Sequence, residues 1–316
     1  MNYSILRYIL GYVLKIEAAF MLLPCVTSLI YHEEEGRYFF VVACICMLIG
    51  VLMTLHKPKS TTFYLKEGCL ATSLSWILLS LFGAIPFWIS GEIPHWEDAL
   101  FETISGFTTT GATVLGNVEA LSHTALIWRS FTHWIGGMGV LVFLLAILPL
   151  SGGSSINLMR AESPGPSVGK LVPKVRYTAM ILYTIYFGMT VIEFIFLLAG
   201  HMPLFDALTT AFGTAGTGGF GIKNDSIMGY SPYIQWVVAI FMILFGINFN
   251  FYFYLLYRHF KKAVSMEEIH YYLAMILIAI TIIFLNVRTM YPTGFEAMTH
   301  SVFQVASLAT STGFST

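Results

Sequence analysis

The residues 105–114, SGFTTTGATV, set four threonines, two glycines and a serine inside an otherwise apolar chain. No carboxylate, histidine or cysteine lies within the stretch, so acid–base, nucleophilic and metal chemistry have no obvious agent there. What the stretch does supply is oxygen. Glycine lets successive carbonyls point the same way, and threonine adds a hydroxyl oxygen without adding charge. Oxygens arranged in a ring can replace the hydration shell of a monovalent cation. The same composition recurs twice, as GTAGTGGFG after residue 212 and as TSTGFST at 310–316. Aligning glycines gives Gly111, Gly216 and Gly313, spaced 105 and 97 residues apart, an internal repeat. In the second copy Gly218 and Gly219 compete. The spacing Phe107–Gly111 matches Phe212–Gly216, and this favours Gly216.

Each strip follows a short, weakly apolar helical segment: PHWEDALFETISGF, MPLFDALTTAF and PTGFEAMTHSVFQVASLA. None is long enough to span a bilayer. Acids stand in their first turns (Glu97 and Asp98, Asp206, Glu296). Thr293 and Glu296 fit a capping box, and Pro203 suits a first helical position. The electronegative C-terminal end of each helix then faces its strip, which favours a cation.

The elements that position these strips are membrane spans. The chain has 316 residues, 57% hydrophobic and 10% charged, against roughly 45–50% and 25% in a soluble domain. Apolar runs of about 20 residues fall near 5–30, 38–56, 68–91, 124–150, 177–201, 232–257 and 269–289. The loops 56–67, 151–176 and 258–268 hold ten Lys and Arg, among them Lys170, Lys174, Arg176, Lys261 and Lys262. The opposite side holds four: Arg37, Arg129, Lys223 and Arg288. Basic loops stay inside, so the N-terminus is expected to be cytoplasmic. Non-helical backbone at membrane depth is tolerated only when buried or lining a watery cavity, so three such strips imply one shared cavity. Gly136, Gly137 and Gly139 in HWIGGMGV instead suit close helix packing.

Other motifs fail on context. GTGGFG at 216–221 lacks the strand and helix of a dinucleotide site. GPSVGK at 165–170 has the wrong spacing for a phosphate loop. His32-Glu-Glu-Glu-Gly36 lacks the second histidine of a zinc helix. An intramembrane hydrolase using Ser105 or Ser151 with His133 would need a base and an oxyanion site, and nothing in sequence joins them. Cys25, Cys44, Cys46 and Cys69 read as small apolar packing residues. Of the ionisable residues near spans, Glu17 and Arg129 are expected at interfacial span ends. Glu193 is a candidate intramembrane ionisable site. The net charge of −1 gives no hint of nucleic acid.

SGFTTTGATV, HWIGGMGVLVF, RAESPGP, AFGTAGTGGFG and ATSTGFST, in this order, resemble the Trk/Ktr/HKT superfamily of potassium transport proteins, in its TrkH/TrkG-like branch. The resemblance covers essentially the whole chain. It implies an all-α polytopic membrane protein with repeated membrane helix–pore loop–membrane helix units around a pseudo-fourfold pore. An extra N-terminal helix pair would occupy 1–60. A first repeat would fill 61–160, a second 161–262, and part of a third 263–316. The filter residues carried over are Thr108, Thr109, Thr110, Gly111, Thr214, Ala215, Gly216, Thr310, Ser311, Thr312 and Gly313, with Gly111 implying potassium as the transported ion. A fourth repeat, with its arginine, and the third repeat's gating loop do not appear in this sequence. The chain therefore reads as an N-terminal fragment expected not to conduct selectively alone. The resemblance further implies a transporter of the bacterial inner membrane rather than an enzyme, and a homodimer. It implies a TrkA-like cytoplasmic regulatory subunit that alone binds nucleotide, with 151–176 and 258–268 as its docking surface. This chain itself would bind no cofactor. The alternatives are a symporter coupling potassium to sodium or protons and, more remotely, an intramembrane enzyme.

Overall fold

The computed structural model describes residues 2–58, 65–139 and 175–316. Helix α1 (Tyr3–Phe20) runs into α2 (Leu22–Tyr31), and α3 (Gly36–Thr54) packs back on α1. Gly11 and Gly50 allow that approach, since a methyl group on Gly50 would stand 2.7 Å from the Gly11 carbonyl oxygen. Then come α4 (Leu65–Ser90), α5 (Trp96–Phe107) and α6 (His123–Met138). The next unit holds α7 (Val175–Ala199), α8 (Leu204–Ala215) and α9 (Pro232–Phe245). Two short helices, α10 (Phe249–Leu256) and α11 (Phe260–Val264), lead to α12 (Glu267–Val287) and α13 (Gly294–Ala309). The described residues contain no strand.

Among the described residues, five helical stretches are long and apolar enough to cross a membrane: Tyr3–Tyr31, Gly36–Thr54, Lys66–Ser90, Ala179–Ala199 and Glu267–Val287. Their outward faces carry exposed Leu29, Leu48, Ile195, Leu277 and Ile278, the surface a protein turns to lipid. The apolar run 232–257 is broken in the structure: α9 and α10 meet at a 90° bend. The Asn248 side-chain oxygen accepts from the Asn250 N–H at 3.0 Å and starts a new helix. Two tyrosine hydroxyls donate to carbonyls beside the break, Tyr272 to Ile243 at 3.1 Å and Tyr252 to Leu244 at 2.6 Å. Of the expected span 124–150, α6 covers the part to Met138, and 140–150 lies outside the described residues.

α5 and α8 are both 12 residues long, and α13 has 16. The helix after each of the first two opens on a serine cap, Ser122 accepting from the Ala125 N–H and Ser231 from the Ile234 N–H. Thr293 caps α13 by accepting from the Glu296 N–H at 3.2 Å. Pro203 stands one place earlier than expected, as the cap residue of α8. Glu33, from the α2–α3 turn, reaches the start of α6. Its carboxylate accepts from the N–H groups of His123 and Thr124 and from the Thr124 hydroxyl. The negative charge sits on a positive helix end and ties the N-terminal hairpin to the first repeat.

Candidate cation site

Each short helix ends where its strip begins. Thr108, Gly216 and Thr310 are the C-terminal caps of α5, α8 and α13. The next residues, Thr109, Thr217 and Ser311, all take left-handed angles (φ 53°, 50° and 57°). Two residues further on, Gly111, Gly219 and Gly313 do the same, with φ of 72°, 72° and 85°. The hydrogen bonds repeat in step. Gly111 donates to the Ser105 carbonyl, Gly219 to Gly213 and Gly313 to Ser307. The geometric repeat is therefore 108–111, 216–219 and 310–313.

This corrects the register of the second strip. Thr214 and Ala215 are helical and buried, and Gly216 caps the helix at an ordinary φ of −73°. A side chain on Gly216 would strike the His133 carbonyl, so this glycine serves the packing of α8 on α6. Gly219 occupies the place of Gly111 and Gly313. The other residues read from the sequence, Thr108 to Gly111 and Thr310 to Gly313, stand in equivalent places in their own strips.

The strips touch through glycine and carbonyl. A methyl group on Gly111 would run into the Gly218 carbonyl oxygen, and one on Gly219 into the Thr312 carbonyl oxygen. The Thr312 oxygen also lies 3.8 Å from the Gly111 methyl position, so carbonyls of strips two and three approach the first strip together. Among the described residues, nothing lies within 4 Å of the corresponding methyl position on Gly313. All three glycines border one cavity of about 270 Å³, with Thr113, Asn224 and Ser226 on its wall. Loop contacts fix the strips around it. Asn224 accepts from the Val118 N–H at 2.9 Å, and Ser226 from the Ser315 N–H at 3.1 Å.

Hydroxyls and an ion pair hold the strips from behind. The Ser105 hydroxyl donates to the Ala112 carbonyl and the Ser307 hydroxyl to the Phe314 carbonyl, both at 2.6 Å. Thr108 pairs with Thr110 at 2.8 Å, and Thr310 with Thr312 at 2.7 Å. Ser105 is thus committed to a backbone strap, against any nucleophilic role, and Ser151 lies outside the described residues. Arg129 and Glu102 form an ion pair at 2.7 Å with side chains 2% and 0% exposed. Glu102 also accepts from the Thr113 hydroxyl and the Val114 N–H, and Arg129 donates to the Gly221 carbonyl at 3.1 Å.

The interfacial expectation for Arg129 is therefore corrected, because α2, α5 and α8 pack around α6 and leave it no outer face. Glu17 is likewise buried, inside the packing of α1 with α3 and α4. Glu193, on α7, is fully buried, and the Thr214 side chain faces it. The carboxylate oxygens of Glu17 and Glu193 have no hydrogen-bond partner among the described residues. Glu102 escaped the sequence reading. The one available signal was a lone acid inside the short helix FETISGF with a lone arginine in the following ALIWRSF.

Residues 36–316 match the family model described as TrkH, cation transport protein. The chain belongs to the TrkH family. Among the relatives of this family, the Trk system potassium uptake protein TrkH of Salmonella typhimurium is 35% identical over the whole chain. The Trk system potassium uptake protein TrkG of Escherichia coli is 31% identical over 99% of it. The crystal structure of the potassium transporter TrkH from Vibrio parahaemolyticus superposes with a TM-score of 0.85 at 28% identity, over all of this chain. The chain spans about two thirds of the length of these relatives: 67% of the Salmonella protein, 66% of TrkG and 66% of the solved chain. The family and the apolar helices make this an all-α, multi-pass membrane protein, related to transporters and not to enzymes.

Proposed function

We propose that the three strips form three sides of a potassium-selective filter in an uptake pathway. Potassium enters the cavity above Gly111, Gly219 and Gly313, sheds water, and is held by backbone carbonyls of 108–111, 216–219 and 310–313. The negative ends of α5, α8 and α13 support a cation there. The observation that carries the reading is the relay of glycine onto neighbouring carbonyl, from strip one to two and from two to three. Potassium as the ion is supported by the names of the relatives. The same proposal includes a bacterial inner-membrane location with a cytoplasmic N-terminus, a homodimer, and a cytoplasmic nucleotide-binding regulatory partner of the TrkA kind. The exposed Arg258, Lys261 and Lys262 support docking on 258–268. The loop 151–176 lies outside the described residues.

The test is uptake of potassium against sodium by the protein as its host makes it, in cells lacking other potassium uptake. Gly219→Ala should erode discrimination, because the methyl group meets the Thr312 carbonyl at a left-handed position. Gly216→Ala should lower stability by pushing α6 from α8 and leave the ion preference of the surviving protein intact. The opposite pattern would return the site to Gly216.

A further inference from the structure

Strips one and three carry their own braces, a serine strap and a threonine pair each. The second strip has Gly213 where the others have Ser105 and Ser307. It has Gly216 and Gly218 where they have Thr108 with Thr110 and Thr310 with Thr312. None of the three bracing hydroxyls has a counterpart there, yet its backbone follows the same path. The missing bonds come from another repeat.

Arg129 and His133 lie one turn apart on α6, so they share a face. The His133 ring stacks on Phe220 with centroids 4.2 Å apart, and its Nδ1 accepts from the Phe220 N–H at 3.4 Å. A side chain on Gly218 would stand 2.5 Å from the same ring. The Arg129 guanidinium lies 4.0 Å from the Phe220 ring centroid and donates to the Gly221 carbonyl. Glu102 fixes that guanidinium while also holding Thr113 and Val114 of the first strip's return. The third strip, which has its hydroxyls, follows a different partner. Helix α9 contains no charged residue, and its buried face there is Val237, Val238, Phe241 and Met242.

We propose that α6 is the positioning helix of the second strip, Arg129 and His133 standing in for the hydroxyl braces it lacks. One side of the cation path is thereby set by the preceding repeat. This rests on the filter reading above. Arg129 and His133 touch no cation in this scheme; they act through Phe220 and Gly221.

The experiment compares His133→Leu, His133→Asn and Gly219→Ala in the host's own protein, reading potassium against sodium uptake. Asparagine places an acceptor where Nδ1 stands, and leucine fills space without one. His133→Leu should lose discrimination by roughly fivefold, the worth of about one hydrogen bond, and His133→Asn should restore most of it. Equal losses in the two variants, or no loss in either, would overturn the positioning role. If Gly219→Ala also leaves discrimination intact, the filter reading itself fails. If only Gly219→Ala abolishes it, the α6 role alone falls. Should His133→Leu not yield a monodisperse protein, Arg129→Lys decides by the same readout. It keeps the charge beside Glu102 but not the two-pronged donor, so unchanged discrimination would overturn the proposal.

Discussion

Removing the charge of Glu102 should be among the most damaging single changes outside the strips. The carboxylate accepts from Arg129 Nε and Nη2 at 2.7 Å, from the Thr113 hydroxyl at 2.9 Å and from the Val114 N–H at 3.2 Å. Glu102→Gln keeps the shape, removes the counter-charge and leaves a guanidinium buried with only neutral acceptors, the amide oxygen and the Gly221 carbonyl. Breaking a buried pair from one side costs about 3–5 kcal/mol, chiefly through the stranded charge. At roughly 2–4 °C per kcal/mol for a chain near this size, the melting temperature should fall by on the order of 10 °C. The double variant Glu102→Gln with Arg129→Met removes both charges and should recover most of the loss. Its surviving defect is the freed Thr113, Val114 and Gly221 groups. Cys46 supplies the assay: it is fully buried and reports unfolding to a thiol-reactive dye above the background of the exposed Cys44 and Cys69. A single-variant loss below about 1 kcal/mol, the range of an exposed pair, would refute the reasoning. So would a double variant as unstable as the sum of the two singles.

Two further outcomes follow from the braces and the anchor. Ser307→Ala removes the donor to the buried Phe314 carbonyl and should cost about 1–3 kcal/mol in the same melting assay, with the third strip's contribution to discrimination reduced; Ser307→Thr should retain most of both. Burial pushes the Glu33 carboxyl up, but the hydroxyl and N–H of Thr124 and the N–H of His123 outweigh it and hold it below the ordinary range. Stability from such a depressed carboxylate is present above its unfolded value and lost as pH falls through the folded one. Glu33→Gln should therefore cost about 1–2 kcal/mol at neutral pH. The gap to the unaltered protein should close below about pH 4, and a pH-independent gap in a melting series would refute the anchor.

The elements were legible where they depend on the chain's own neighbourhood. Hydropathy runs mark the long spans because each must satisfy its backbone internally in lipid. The capping serines and threonines, the short helices and the three Gly/Thr strips are also local patterns. Direction is not local: a run of apolar residues reads alike whether straight or bent, so the 90° break between α9 and α10 was invisible in 232–257.

The same limit governs the site. The sequence by itself determined that three short helices each run into a charge-free, oxygen-rich strip. Spacing alone favoured Gly216 over Gly218 and Gly219, and it misled because letters carry no φ. Only the packed structure decides that Gly219 is the one turned left-handed against the Thr312 carbonyl, while Gly216 is spent on contact with α6. It likewise joins Glu102 to Arg129 and sets His133 behind Phe220, across 27 and 87 residues of chain. The first pairing arises from how two helices of one repeat pack and the second from how one repeat packs on the next, and no local pattern records which faces will meet.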